Sequence, residues 1–347
     1  MEMHSKFKFE GKEVTKNELF QLMQERDVAS YQFLLEWFNE DDVVMVQTSG
    51  STGVPKIIPL QKKHMIASAQ ATGAYFNCLE GTKALICLSA YFIAGKMMWV
   101  RALTLGWNMY LSEPTGNPLE KNEMLYDFSA MVPMQVEKAL GQLDRVKKLI
   151  VGGAPVSSTL EKTLENISTE VFGTYGMTET ITHIAIKKLN HLEGKDSYFQ
   201  TLPNVQISLD ERGCLVIDAP KISENKVVTN DLVQLHSESS FEWLGRFDSI
   251  INSGGIKLVP ESIERKLQPL IKERFFISSL PDEKLGERVV LFIESSQKSD
   301  LLQNIKDSGL LDKYELPKQV YVVSKFSETA SSKIDKKATL KKVKRTY

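Results

Sequence analysis

In the first half of the chain, apolar positions fall alternately into short β-rich runs and longer stretches at helical spacing. Residues 43–47 precede a helical pattern over 62–75, and 84–88 precede one over 94–105. The run 107–111 leads to a Pro133-started helix around 136–140, and 148–151 leads to 157–164. Such alternation predicts an α/β domain on a parallel sheet, with ligands gathered beyond the carboxyl ends of its strands. From Val205 the rhythm shortens to strands at 205–209, 214–217, 226–229 and 241–243, with turns such as Asp210-Glu211-Arg212-Gly213 between them. That change predicts an antiparallel appendage. Further on come the hairpin signal Asn252-Ser253-Gly254-Gly255, helical patterns at 260–272 and 301–306, and apolar runs at 289–293 and 320–323. They predict an α+β unit of about 100 residues.

At 347 residues the chain exceeds the ~250 to 300 at which a single core stops growing, so two domains are expected. The balance of 25% charged and 42% apolar residues is that of an ordinary globular protein. A formal net charge of −1 leaves no global field to recruit nucleic acid or an anionic membrane, and the basic tail from Lys336 to Arg345 reads as a solvated face. Cys78, Cys87 and Cys214 are widely spaced, without the pairing of a disulfide framework or zinc site, which fits a reducing cytoplasm. The first twelve residues interleave His4, Lys6, Lys8 and Glu10 with Phe7 and Phe9, so no secretory core is expected. The apolar stretch 84–111 carries Lys96 and Arg101 and is cut by Gly95 and Gly106, which favours buried α/β structure over a membrane span.

Candidate chemistry begins with Thr48-Ser49-Gly50-Ser51-Thr52-Gly53-Val54-Pro55-Lys56, directly after the run 43–47. Hydroxyls and unhindered glycine amides suit an anionic oxygen, and Lys56 adds a point charge. It is not a Walker A loop, because Val54-Pro55 separates the last glycine from the lysine and Ile57 follows where a hydroxyl would bind magnesium. A second signature is Thr174-Tyr175-Gly176-Met177-Thr178-Glu179. Tyr175 offers a flat face for a purine, Gly176 permits close approach, Thr178 can donate to phosphate, and Glu179 is a hard oxygen ligand for Mg²⁺.

Together these signatures resemble the adenylate-forming superfamily of acyl-CoA synthetases, nonribosomal-peptide adenylation domains and firefly luciferase. Further matches follow in the family's order. Gly152-Gly153-Ala154-Pro155 resembles the segment lining the adenine pocket. Thr229-Asn230-Asp231 is similar to Thr-Gly-Asp, whose carboxylate grips the ribose hydroxyls, with Asn230 where glycine is more common. Leu244-Gly245-Arg246-Phe247-Asp248 resembles the segment whose arginine also reaches the ribose and whose acidic residue is an interdomain hinge. Gly254, Gly255 and Lys257, with Pro260 and Glu261, resemble the stretch past the hinge. Ser331-Ser332-Lys333-Ile334-Asp335 is similar to the terminal loop whose lysine enters the active site, with Ser332 in place of the usual glycine.

The resemblance implies a large N-terminal α/β domain (1–247) that binds ATP and the acid, and a small mobile α+β lid (248–347) turning about Asp248. Only 47 residues precede the phosphate loop, fewer than family members usually carry, so a shortened first domain is expected. It further implies ATP, Mg²⁺ and coenzyme A as the groups handled. Thr48 to Gly53 and Lys56 would take the phosphates, Thr178 the α-phosphate, Glu179 the metal and Lys333 the incoming carboxylate. Gly152 to Pro155, Tyr175 and Gly176 would take adenine, Asp231 and Arg246 the ribose, and Gly254, Gly255 and Lys257 the CoA arm. The segment Tyr91 to Lys96, with Phe92 where histidine is frequent, resembles the small o-succinylbenzoate:CoA ligases of menaquinone biosynthesis. It implies an acid pocket of Phe92, Lys96 and Met177, with Lys96 as partner of a second carboxylate. Another aryl- or acyl-CoA ligase, or a nucleotide-binding regulatory protein without catalysis, stay open as readings. The expected partners are small molecules, with a homo-oligomer covering any exposed sheet or apolar surface.

Overall fold

The structure, a computed structural model, describes residues 1–47, 56–121, 123–194, 197–296, 300–328 and 334–344. The chain opens with β1 (Lys8–Phe9), β2 (Lys12–Glu13), α1 (Lys16–Arg26) and α2 (Val28–Phe38). Thr15 caps α1 by accepting from the Glu18 amide while Glu18 accepts from the Thr15 amide, and Asp27 caps α2 at the Ala29 amide. Next come β3 (Val43–Gln47), β4 (Ile57–Gln61), α3 (Lys62–Phe76), β5 (Lys83–Ile86), α4 (Ile93–Leu105) and β6 (Asn108–Leu111). The alternation continues through β7 (Tyr126–Met131), α5 (Pro133–Lys138), β8 (Val146–Val151), α6 (Ser158–Leu164) and β9 (Glu170–Gly176).

β1, β6, β5, β7, β8 and β9 lie side by side and parallel, and β5, β6 and β8 among them are the runs that the alternation predicts. In β5, Ala84 and Ile86 enter one core with Phe33, Met65 and Trp99, whereas Leu85 enters another with Val136 and Leu160. A strand apolar on both faces needs helices on both: α2, α3 and α4 cover one side, α5 and α6 the other. The antiparallel appendage is β10 (His183–Lys188), β11 (Phe199–Thr201), β12 (Gln206–Leu209), β13 (Cys214–Asp218), β14 (Val227–Ser237) and β15 (Ser240–Arg246). It joins the parallel strands through β9 and β10 to make one continuous sheet of 13 strands.

A second sheet with its own core contains β16 (Ile251–Ser253), β17 (Ile256–Leu258), β18 (Phe275–Asp282), β19 (Gly286–Glu294) and β20 (Gln319–Val323). α7 (Pro260–Leu267) and α8 (Leu301–Ser308) pack on one face, and α9 (Lys336–Lys344) places Leu340 against the other. α7 rests on β15 at Gly245, where a Cβ would come within 2.4 Å of Val259 and 2.6 Å of Glu261.

One expectation is corrected. β3 is not a strand of the parallel sheet: it pairs antiparallel with β4 in a separate two-stranded ribbon. Ile57, Ile58 and Leu60 supply a strand immediately after Lys56, with Val44 opposite Leu60 and Val46 opposite Ile58.

Candidate active site

At the nucleoside end, β14 and β15 set Asp231 opposite Arg246. The Tyr175 hydroxyl donates to Asp231 Oδ2 at 2.7 Å and Trp243 Nε1 donates to Oδ1 at 3.1 Å. Arg246 Nη1 lies 3.7 Å from the same carboxylate, while its Nε and Nη2 hold Asp248 at 3.0 and 3.1 Å. Burial, reinforced by the Asp231 charge, pushes the Tyr175 phenol up and keeps it a donor. The fork from Arg246 holds the Asp248 carboxyl below its ordinary value. The Tyr175 ring meets Phe241 edge-on at 5.1 Å and is 9% exposed, so its hydroxyl is tied to the carboxylate and its faces are largely covered. Gly152 and Gly153 follow β8: a Cβ on Gly152 would stand 2.4 Å from Thr174 Oγ1, and Gly153 has φ +83°. Thus Tyr175, Asp231 and Arg246 come together at one carboxylate, with Gly152 against Thr174, the neighbour of Tyr175, and Gly153, Ala154 and Pro155 exposed after it.

Beyond Gly176, whose missing Cβ leaves room for the Thr182 carbonyl, the chain turns sharply through Met177, Thr178 and Glu179. Thr180 Oγ1 fastens the turn, bonding the Met177 amide at 3.0 Å and the Thr182 carbonyl at 2.8 Å. Ile181 sits at φ 63° and ψ −62°, bridged by a Thr182 amide to Thr180 carbonyl bond of 2.7 Å. A buried β-branched residue in that γ-turn is strained, as is common where a loop is held for function. Glu179 is exposed on the turn, and the ribbon strand β4 lies against it. One hard carboxylate suits Mg²⁺, which is ordinarily held by one or two carboxylates together with substrate phosphates.

Below the turn is a polar cluster inside the core. Arg101 on α4 is 1% exposed; its Nε donates to Thr72 Oγ1 at 3.3 Å and its Nη2 to Thr182 Oγ1 at 3.5 Å. His183 faces Thr72 at 3.2 Å and Thr182 at 3.4 Å. Among the described residues no carboxylate lies within 4.0 Å of Arg101. Burial lowers the guanidinium to about 10, so it remains charged at neutral pH, and burial with the Arg101 charge holds His183 neutral.

Lys96 is also buried but engaged: its ammonium pairs with Glu36 at 3.0 Å and lies 4.9 Å from the Phe33 ring centre. A substrate carboxylate would have to displace Glu36, whereas Arg101 has no carboxylate within 4.0 Å among the described residues. Phe92 is exposed immediately before α4, and Met177 packs at the edge of the main core. Gly254, Gly255 and Lys257 lie on the β16–β17 hairpin, hydrogen-bonded into the second sheet through Leu285. Lys56 is exposed at the start of β4. Thr48, Ser49, Gly50, Ser51, Thr52, Gly53 and Lys333 lie outside the described residues. Flanking them are the Gln47–Ile57 pair and the Glu328–Ile334 bridge. Sequence reasoning missed Trp243 and His183; Arg101 was visible only as a charge interrupting an apolar run.

The model of the family described as AMP-binding enzyme matches residues 4–220. The chain belongs to that family. It is 37% identical to an acyl-CoA synthetase (AMP-forming)/AMP-acid ligase II-like protein of Dyadobacter fermentans, covering 95% of this chain and 99% of that one with a TM-score of 0.63. The 2-succinylbenzoate–CoA ligase of Enterococcus faecalis is 27% identical over 331 residues, which are 84% of this chain and 68% of the relative. An o-succinylbenzoate CoA synthetase of Bacillus subtilis, solved with its acyl-adenylate intermediate, shares the fold at a TM-score of 0.73 with 20% identity, over 84% of this chain and 67% of that one. The adenylate-forming resemblance and the reading as an AMP-forming acid:CoA ligase are borne out by the AMP-binding family and these relatives. Among the described residues no helix is long and apolar enough to cross a membrane.

Proposed function

We propose that this AMP-binding enzyme adenylates a carboxylic acid bearing a second carboxylate, and that the acid is o-succinylbenzoate, activated to its CoA thioester for menaquinone biosynthesis in the cytoplasm. The observation carrying this reading is Arg101, a buried charged guanidinium without a carboxylate partner among the described residues, directly beneath the Thr178–Thr180 turn. Such a charge is costly unless an anion meets it, and a dicarboxylic substrate brings one. Thr72, Thr182 and neutral His183 supply further donors and acceptors around it. The name of the Enterococcus relative supports the same acid.

In the first half-reaction a carboxylate oxygen attacks the α-phosphorus of ATP, the bond to the β-phosphate bridging oxygen breaks, and pyrophosphate leaves. Charge neutralisation and alignment do most of the work. Ser49 to Gly53 with Lys56 hold the β- and γ-phosphates, Thr178 donates to the α-phosphate, and Lys333 meets the carboxylate and bridging oxygen. Glu179 would hold Mg²⁺, which offsets phosphate charge when bound. Asp231, fixed by Tyr175 and Trp243, and Arg246 take the ribose hydroxyls, and Gly152 to Pro155 flank the adenine. In the second half-reaction the CoA sulfur attacks the acyl carbon and the bond to AMP breaks. Residues 248–347 form the lid that turns about Asp248 between the steps, bringing Gly254, Gly255 and Lys257 to the pantetheine arm.

The test is pyrophosphate release with o-succinylbenzoate, benzoate and a fatty acid in parallel. A preference for o-succinylbenzoate of at least about 10²-fold in kcat/KM is expected; equal use of benzoate would sink the dicarboxylate reading and leave another aryl-CoA ligase. In the same assay Lys333→Ala should lower adenylation by about 10²- to 10³-fold, and an unchanged rate would remove Lys333 from the site.

A further inference from the structure

The turn Asp210-Glu211-Arg212-Gly213 links β12 and β13 at the surface, and a charged pair inside such a turn would ordinarily contribute little. Arg212 does more than pair with Asp210. The Asp210 carboxylate accepts from the Arg212 and Cys214 amides at 2.9 Å each and from Arg212 Nε at 2.8 Å, which aims the guanidinium across the sheet edge. Arg212 Nη1 then donates to Asn230 Oδ1 at 2.8 Å, and Nη2 donates to the Thr229 carbonyl at 2.9 Å. The guanidinium also lies over the Phe247 ring, 5.2 Å from its centre. Asn230 immediately precedes Asp231, and Phe247 stands between Arg246 and Asp248. One side chain therefore holds the chain neighbours of both residues read as ribose partners.

The ladder explains why such a tie is needed. β14 pairs with β13 at Leu232 and again at Val228, but the register shifts between these points, so Thr229, Asn230 and Asp231 bulge against a shorter partner. A bulge releases backbone groups from their strand partners and lets the strand bend. Arg212 takes the Thr229 carbonyl, and Thr229 Oγ1 accepts from the Asp231 amide at 3.0 Å. Glycine at position 230, the commoner residue in the family, would offer no side-chain acceptor to Arg212.

We propose that Arg212 is a positioning residue for nucleotide binding: through Asn230, Thr229 and Phe247 it fixes the distance between Asp231 and Arg246 that the two ribose hydroxyls must span. The inference rests on the reading of Asp231 and Arg246 as the ribose partners. It makes a demand that a merely structural turn does not, because only nucleotides with ribose hydroxyls should register the loss of Arg212.

The test measures binding of AMP and of 2′,3′-dideoxy-AMP to the full chain by calorimetry. Arg212→Met should weaken AMP about tenfold and leave the dideoxy nucleotide unchanged, with Asn230→Ala giving a smaller loss of the same pattern. Asp231→Asn is the control for the underlying reading and should erase the preference for AMP. If it keeps that preference, the ribose assignment fails and the proposal with it. If Asp231→Asn erases the preference while Arg212→Met and Asn230→Ala keep it, or weaken both nucleotides equally, the positioning role alone is overturned. Should Arg212→Met fail to fold, Asn230→Ala carries the same comparison.

Discussion

Two cations sit on the same helix, five residues apart, in the same apolar stretch, and the protein treats them oppositely. Lys96 is neutralised by Glu36 and lies beside the Phe33 ring. Arg101 meets Thr72, Thr182 and the Met98 sulfur at 3.6 Å, with uncharged His183 alongside. A charge interrupting an apolar run is thus a signal in both cases, but its meaning depends on whether the fold also brings a counter-ion. Where it does, the charge is neutralised within the fold; where it does not, neutral donors and acceptors alone surround it.

The sharpest way to break this contrast is Arg101→Met. It should lower kcat/KM for a dicarboxylic acid by about 10²-fold while a monocarboxylic acid loses little, in the same pyrophosphate assay. Equal losses for both acids would make Arg101 a packing residue. Next in size is the pH dependence of stability. His183 has its folded-state pKa depressed, first by burial and then by Arg101. Below the unfolded value near ~6.5, the unfolded chain binds a proton that the native chain refuses, so native stability falls with pH by at most about 1.4 kcal/mol per unit from this group. His183→Gln should flatten the urea-unfolding profile between about pH 5 and 6.5; an unchanged slope would mean that His183 is protonated in the native state. The smallest effect is expected at Glu36→Gln, which leaves Lys96 without its partner. Because Glu36 is partly exposed, the loss should be about 1 kcal/mol, with kcat/KM for the dicarboxylate unchanged. Lys96→Met added to Glu36→Gln should recover most of that stability, and a drop in dicarboxylate use instead would return Lys96 to the acid pocket.

Much of the architecture was legible because strands buried on both faces read as unbroken apolar runs. β5 is of that kind from Ala84 to Ile86, and β8 in its last three residues, Leu149 to Val151. β9 and β10 were not picked out, since Gly173, Thr174 and Gly176 interrupt the first and the second ends in Lys187 and Lys188. α1 and α2 carry caps at Thr15, Glu18 and Asp27, which are legible in the sequence as Thr-x-x-Glu and as an aspartate before an apolar run. For the site, ordered motifs named Tyr175, Asp231, Arg246 and Asp248, and the fold joins them through one carboxylate and one guanidinium. The counter-ion of Lys96 comes from α2, sixty residues earlier, and the neighbours of Arg101 come from α3 and β10. Such partnerships are tertiary and leave no local trace. The β3–β4 ribbon was misplaced for a similar reason: strand pairing, unlike strand propensity, is decided by the far side of the loop.

Ile181 carries a consequence for mutational screens. Its γ-turn follows the Thr178–Thr180 segment directly, and the turn is held by the burial of its own side chain in the main core. A small cavity opened beside that side chain would let the backbone relax to an ordinary conformation, moving Glu179 with only modest loss of folded protein. Variants of this kind would be abundant in cells yet inactive, and their positions would trace a shell of aliphatic residues that no alignment of catalytic motifs would nominate.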